Sequence, residues 1–188
     1  MRITFFLAAC FLAQLTFAQS SPKKEKVEYT KESALYNAKA FVAFELIEDA
    51  SDSLSRFSIT PLEESKSAEM TTLHVKCEGR DIEGLLLGFN GERKGMDGRM
   101  HKEADFYFLP KAKAEMLLNK IEEIFEKEGR YLGDEKDNNN VFIEFEELSL
   151  IIYRGDDKSI RIFWKGFDAQ WEYDECKSTK KRLMKMMK

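Results

Sequence analysis

The chain has 188 residues, with 30 basic and 34 acidic side chains for a net charge of −4, and only three cysteines and two histidines. That length suits one domain able to bury its own core without a metal or a disulfide. The mild negative charge argues against a general nucleic-acid binder, because a polyanion would be repelled.

The opening MRITFFLAACFLAQLTFAQS has a basic start at Arg2, an apolar run from Ile3 and small residues at Thr16 and Ala18. This is the three-part layout of a secretory signal peptide over residues 1–18. Cleavage is expected between Ala18 and Gln19, leaving a secreted or periplasmic protein. Gln14 and Thr16 interrupt a run already short of the roughly 20 apolar residues that span a bilayer. Cys10 follows two alanines as a lipidated cysteine would, but too few apolar residues precede it, so it is expected to leave with the leader. The mature chain then keeps 170 residues and, without Arg2, a net charge of −5.

Residues 19–29, QSSPKKEKVEY, offer little to bury and read as a flexible lead-in to a single α+β domain over residues 30–176. A first helix is expected from near Thr30 or Ser33, with Leu35, Ala38, Val42 and Leu46 at helical spacing. Tyr36, Ala40, Phe44 and Ile47 widen its apolar coverage, which predicts a helix covered on more than one side. From Asp49 to Met70 the composition is that of a loop, broken by Phe57-Ser58-Ile59-Thr60, a short edge strand. Thr71 to Cys77 alternates, with Leu73, Val75 and Cys77 on one face and Thr72, His74 and Lys76 on the other, expected to be wet. Ile82 to Phe89 is apolar on both faces, as in a central strand, and aromatic Ala104 to Leu109 reads as another strand.

Pro110 can open a helix, and Ala114, Leu117, Leu118, Ile121, Ile124 and Phe125 trace its buried face. Lys111 with Glu115 and Glu123 with Lys127 are spaced for exposed ion pairs, and Gly129 stops the helix. After the polar DEKDNNN run, Val141, Ile143 and Phe145 share one strand face. The apolar parity switches at Leu148, which predicts a bulge or tight bend near Glu146-Glu147. Gly155 to Lys158 turns a hairpin into Ile160 to Trp164, and Phe167, Ala169, Trp171 and Tyr173 form a last alternating set. Residues 177–188 form a basic tail, helical by pattern. The sum is an α+β fold, a mainly antiparallel sheet of about five to seven strands with two or three helices packed on one face.

Four constellations invite a functional reading. GFNGERKGMDGR, residues 88–99, holds four glycines, but neither the GxxxxGK[ST] nor the GxGxxG order is present and a strand follows. It reads as a loop between strands, with Asn90-Gly91 supplying the left-handed turn, and Arg93, Lys94, Arg99, His101 and Lys102 form a candidate binding surface for an anion or a protein partner. Cys77 and Cys176 can pair in an oxidising compartment, where closing so long a loop would stabilise by ~4 to 5 kcal/mol. Two buried thiols are the alternative reading. His74 and Cys77 fall on opposite strand faces, which argues against a nucleophile and base, and no metal-ligand spacing or cofactor motif occurs.

Glu144 and Glu146 are two carboxylates on one strand face, weak candidates for paired acid chemistry on a carbohydrate, with Trp164 and Trp171 as aromatic platforms. A water-facing strand, however, does nothing to keep one of them protonated. Asp134, Asp137 and Asn138 to Asn140 offer oxygens to calcium but lack the EF-hand glycine and closing glutamate. The tail has six basic residues among Leu183, Met184, Met186 and Met187. It fits either docking on its own acidic chain or peripheral contact with an anionic membrane. These features point to an exported, noncatalytic binding or structural domain with another exported protein as its partner. A small secreted hydrolase and an envelope-associated protein are the alternatives.

Overall fold

A computed structural model describes residues 34–47, 54–94, 97–135 and 138–188, with the side chains of residues 93, 94, 100 and 101 outside that description. The expected leader and the flexible segment before residue 30 lie outside the described residues. The compact unit formed by Ala34–Lys188 contains two four-stranded antiparallel sheets and four helices.

Sheet 1 is a meander of β1 (Phe57–Glu64), β2 (Met70–Cys77), β3 (Glu83–Lys94) and β4 (Met100–Pro110). Sheet 2 is a second meander, β5 (Asn140–Phe145), β6 (Leu148–Arg154), β7 (Lys158–Trp164) and β8 (Phe167–Glu172). The α+β class stands, but the single sheet of five to seven strands with helices on one face does not. The run of hairpins stops at Pro110, which lacks an amide hydrogen and has φ −52° and ψ 152°, and the chain passes straight into helix α2 (Lys111–Lys127). A short helix α3 (Tyr131–Asp134) follows. Thirty residues beyond Pro110, β5 finds its partner in β6 and not in sheet 1. Sheet 2 ends in the same way, β8 passing directly into helix α4 (Tyr173–Met186).

Leu85, Leu86 and Leu87 are consecutive in β3 and wholly buried. Because strand side chains alternate, sheet 1 must be covered on both faces. On one face Leu73, Val75, Cys77, Leu86 and Phe106 pack against Ala38, Val42 and Ile47 of helix α1, residues 34–41, which runs into a π-turn at Val42–Leu46. On the other, Leu85, Leu87, Phe89 and Leu109 meet α2, α4 and the inner face of sheet 2, including Leu150, Ile162, Trp164 and Trp171.

Helix α1 packs through one stripe only, contrary to the expected wider cover. Ala38 and Val42 pack on the sheet, whereas Tyr36 and Phe44 are 73% and 78% exposed. Lys127 pairs with Glu123 at 2.5 Å as the spacing predicts. Lys111 instead gives its ammonium to the Met187 carbonyl at 2.8 Å, capping the end of α4.

The turn between β1 and β2 fastens the two sheets together. The Lys66 amide donates to Glu172 Oε2 at 3.0 Å, and the Gln170 amide donates to Glu69 Oε2 at 2.9 Å. Glu172 is 5% exposed, so removing its carboxylate strands the Lys66 amide in a site with little water. The Glu172→Ala variant should lose about 1 to 3 kcal/mol of stability. Adding Glu69→Ala should cost less than the sum of the two single changes, since both act on one turn. Urea unfolding midpoints of the single and double variants check this.

Candidate functional site

Two surfaces stand out, an extended hairpin arm and a groove beside an edge strand. The arm arises because β2 stops at Met70, paired with Phe89, while β3 and β4 stay paired from Asn90 with Ala104 to Lys94 with Met100. The glycine-rich segment is therefore mostly strand. Asn90-Gly91 is not the turn, and the left-handed geometry falls at Gly98, with φ +78°. Gly91 serves packing instead: a Cβ there would stand 3.1 Å from the Phe167 ring. The Arg99 amide is held by Asp97 Oδ1 at 3.0 Å across the tip. Arg99 and Lys102 are exposed. Register places Arg93 opposite His101 and Lys94 opposite Met100, so the whole expected basic set lies on this arm and its tip.

The groove runs between α2 and β5 and is lined by Met116, Asn119, Lys120, Glu123, Ile143, Glu144 and Phe145, with a volume of about 600 Å³. Glu144 therefore borders a concavity. Glu146 does not share its strand face: it sits in the two-residue turn to β6 with φ +54°, the tight bend that the parity switch predicts, and it is ion-paired with Lys113. Trp164 and Trp171 are 4% and 1% exposed. Trp164 packs on Phe89, Tyr107 and Phe167, and its indole N–H donates to Glu147 Oε2 at 3.3 Å. Neither tryptophan is a surface platform for a sugar.

His74 is buried, contrary to the expected wet face, because that face of β2 looks into the main core. Beside it Thr72 is hydrogen-bonded to Thr179 of α4 at 2.9 Å. His74 Nε2 lies 3.4 Å from Glu83 Oε1, and among the described residues neither ring nitrogen makes a hydrogen bond of good geometry. Burial holds the imidazole pKa below its ordinary value, outweighing the carboxylate beside it. Burial also pushes the Glu83 carboxyl up, but Lys76, 3.3 Å away, and His74 prevail and keep it below the usual range.

Cys77 and Cys176 are free buried thiols. Of the two readings left open, the structure has the free thiols: Cys77 packs under α1 on one face of sheet 1 while Cys176 belongs to the core on the other. Burial raises both thiol pKa values, which disfavours the nucleophilic thiolate. The asparagine run closes α3, with Asn139 Nδ2 donating to the Tyr131 carbonyl at 2.6 Å. Asp137 lies outside the described residues, among which no group of three or more His, Cys, Asp or Glu side chains is placed to hold a metal. The basic tail docks as part of α4 through Cys176, Thr179, Leu183 and Met187, with Lys180 on Glu122 and Arg182 on Glu63.

No family model matches the chain, and comparison with curated proteins and with solved structures returns no significant match. Sequence reasoning missed the groove. No sequence signal marked it, because the groove forms only where α2 is brought beside Ile143 to Phe145 of β5.

Two outcomes follow from the buried groups. A chain beginning at Gln19 should show essentially no thiol reactivity toward a disulfide reagent when folded and two thiols when denatured, with a melting temperature unaffected by reductant. A neutral buried histidine binds its proton more weakly than the unfolded chain does. Stability should therefore fall as pH drops below the unfolded value near 6.5, toward the lowered folded value. Thermal melts from pH 7.5 to 5 should show this slope in the native chain and a flatter one in His74→Leu.

Proposed function

We propose that this chain is an exported, noncatalytic binding domain whose partner, another exported protein, engages the β3–β4 arm. The observation that carries the reading is the continuation of strand pairing through five residue pairs beyond the end of β2. The arm carries Arg93, Lys94, Arg99, His101 and Lys102. The layout of residues 1–18 supports export. The hydrolase reading has less support, since Glu144 and Glu146 are exposed, Glu146 is committed to Lys113, and both tryptophans are in the core. The envelope reading is weakened by Leu183 and Met187, whose apolar surface is spent against the domain.

Charge on an arm acts mainly through steering and complementarity. Replacing Arg93, Lys94 and Arg99 together with glutamate should reduce capture of the exported partner from a secreted fraction by about tenfold or more. The melting temperature should stay unchanged, because these positions lie on the arm beyond the end of β2. Quantitative mass spectrometry of captured proteins reads the result, and an identical capture profile for both forms would remove the arm from the mechanism.

A further inference from the structure

The four sheet edges are not treated alike. At β1, Pro61 interrupts the ladder, the register slips between Pro61 and Glu63, and Arg182 binds the Leu62 carbonyl. At β8, the outward amide of Gln170 is taken by Glu69. At β4, the Phe106 amide is taken by Asp105 at 2.8 Å. β5 has none of these devices: it holds no proline, lysine or bulge, and among the described residues no side chain binds the backbone of Phe142 or Glu144. Exposed edges normally carry such protection because an unpaired ladder recruits another strand.

The two-residue turn at Glu146-Glu147 fixes which groups are free. It makes Phe145 and Leu148 the first hydrogen-bonded pair, so Ile143 and Val141 bond to β6 while Phe142 and Glu144 direct their amides and carbonyls to the open edge. The inner-face residues Val141, Ile143 and Phe145 are only half-buried, and Phe142 stands exposed on the outer face.

We propose that β5 is a homodimer interface, two copies pairing antiparallel about a two-fold axis at Phe142 to join their second sheets into one of eight strands. The strand is complementary to itself in that register. Phe142 meets Phe142 of the second copy, Val141 meets Ile143, and Glu144, which has no ion pair among the described residues, meets the Asn140 amide. An axis at Glu144 would set two carboxylates face to face, a destabilising arrangement. The chosen register satisfies the outward backbone groups of Asn140, Phe142 and Glu144 on both copies and extends the apolar inner stripe across the axis. Isologous contacts require this reciprocity.

The register makes the test specific. Phe142 and its counterpart would have Cα atoms about 5.5 Å apart, within disulfide range. Oxidised Phe142→Cys should therefore form a covalent dimer in high yield. Glu144→Cys alone should not, whereas Glu144→Cys mixed with Asn140→Cys should. The native thiols do not interfere, both being buried. The unmodified mature chain should show mass rising toward twice the monomer between about 1 µM and 1 mM by light scattering, the range of weak contacts of this size. Phe142→Lys should hold it monomeric with an unchanged circular dichroism spectrum. Monomer mass throughout, with Phe142→Cys cross-linking no better than an exposed Lys181→Cys control, would overturn the proposal. So would cross-linking of Glu144→Cys to itself as efficiently as Phe142→Cys, or pairing of the edge with an added foreign strand by a chain that stays monomeric.

Discussion

The fold depends on sheet 1 being dry on both faces. An antiparallel meander commonly leaves one face to water and shows it as alternation of apolar and polar residues. Here Leu85, Leu86 and Leu87 are buried in succession, and six of the first seven residues of β2 are buried, Lys76 being the exception. Such a sheet needs material on both sides. The chain supplies α1 on one face and α2, α4 and the second sheet on the other. The direct passage from β4 into α2 and from β8 into α4 serves this end, since a helix that starts where its strand stops has little choice but to fold back over a sheet.

Double burial makes polar groups the sensitive part of the structure. Thr72 and Thr179 satisfy each other, and Glu172 satisfies the Lys66 amide, so these polar contacts hold α4 and the second sheet in place. His74, Thr71 and Glu175 instead have buried polar atoms with no hydrogen bond among the described residues. An unpaired buried donor or acceptor costs about 1 to 3 kcal/mol. In the case of His74, the neutral form is the one this site tolerates, and the nearby Glu83 is already engaged by Lys76.

Local pattern made many of the elements legible. The helix behind Pro110, the strand at Thr71 to Cys77, the bend at Glu146-Glu147 and the Gly155 to Lys158 hairpin all follow from periodicity and turn chemistry, which act over a few residues. What sequence could not supply was which element covers which face. Thr72 and His74 carry polar atoms and so resemble a wet face, yet α4, a hundred residues later, closes over Thr72. Tyr36 and Phe44 look like core and are exposed, because it is the stripe of Ala38 and Val42 that packs on the sheet. Cys77 and Cys176 differ in the same respect: nothing in their spacing says that a sheet separates them. The partition of eight strands into two meanders is equally non-local, for β5 carries no mark of whether it will extend sheet 1 or begin a second one.

The candidate surfaces divide along the same line. The basic set on residues 93–102 was visible as composition, and structure adds only that the segment is a paired arm and not a loose loop. The groove and the open edge of β5 were invisible, because an edge is defined by the strand that is missing. Their meaning comes from contrast within the molecule. Proline and arginine blunt β1, Glu69 blunts β8 and Asp105 blunts β4, so this sequence does manage its edges. A strand with Phe142 facing outward, whose outward amides are bound by no side chain among the described residues, is therefore an exception to the chain's own practice. Loss of protection at one edge out of four is hard to reconcile with chance drift in a chain that must stay monomeric, since such an edge invites uncontrolled pairing. It is consistent with an edge that already has a partner, whose pairing would occupy the very groups that the other three edges keep shielded.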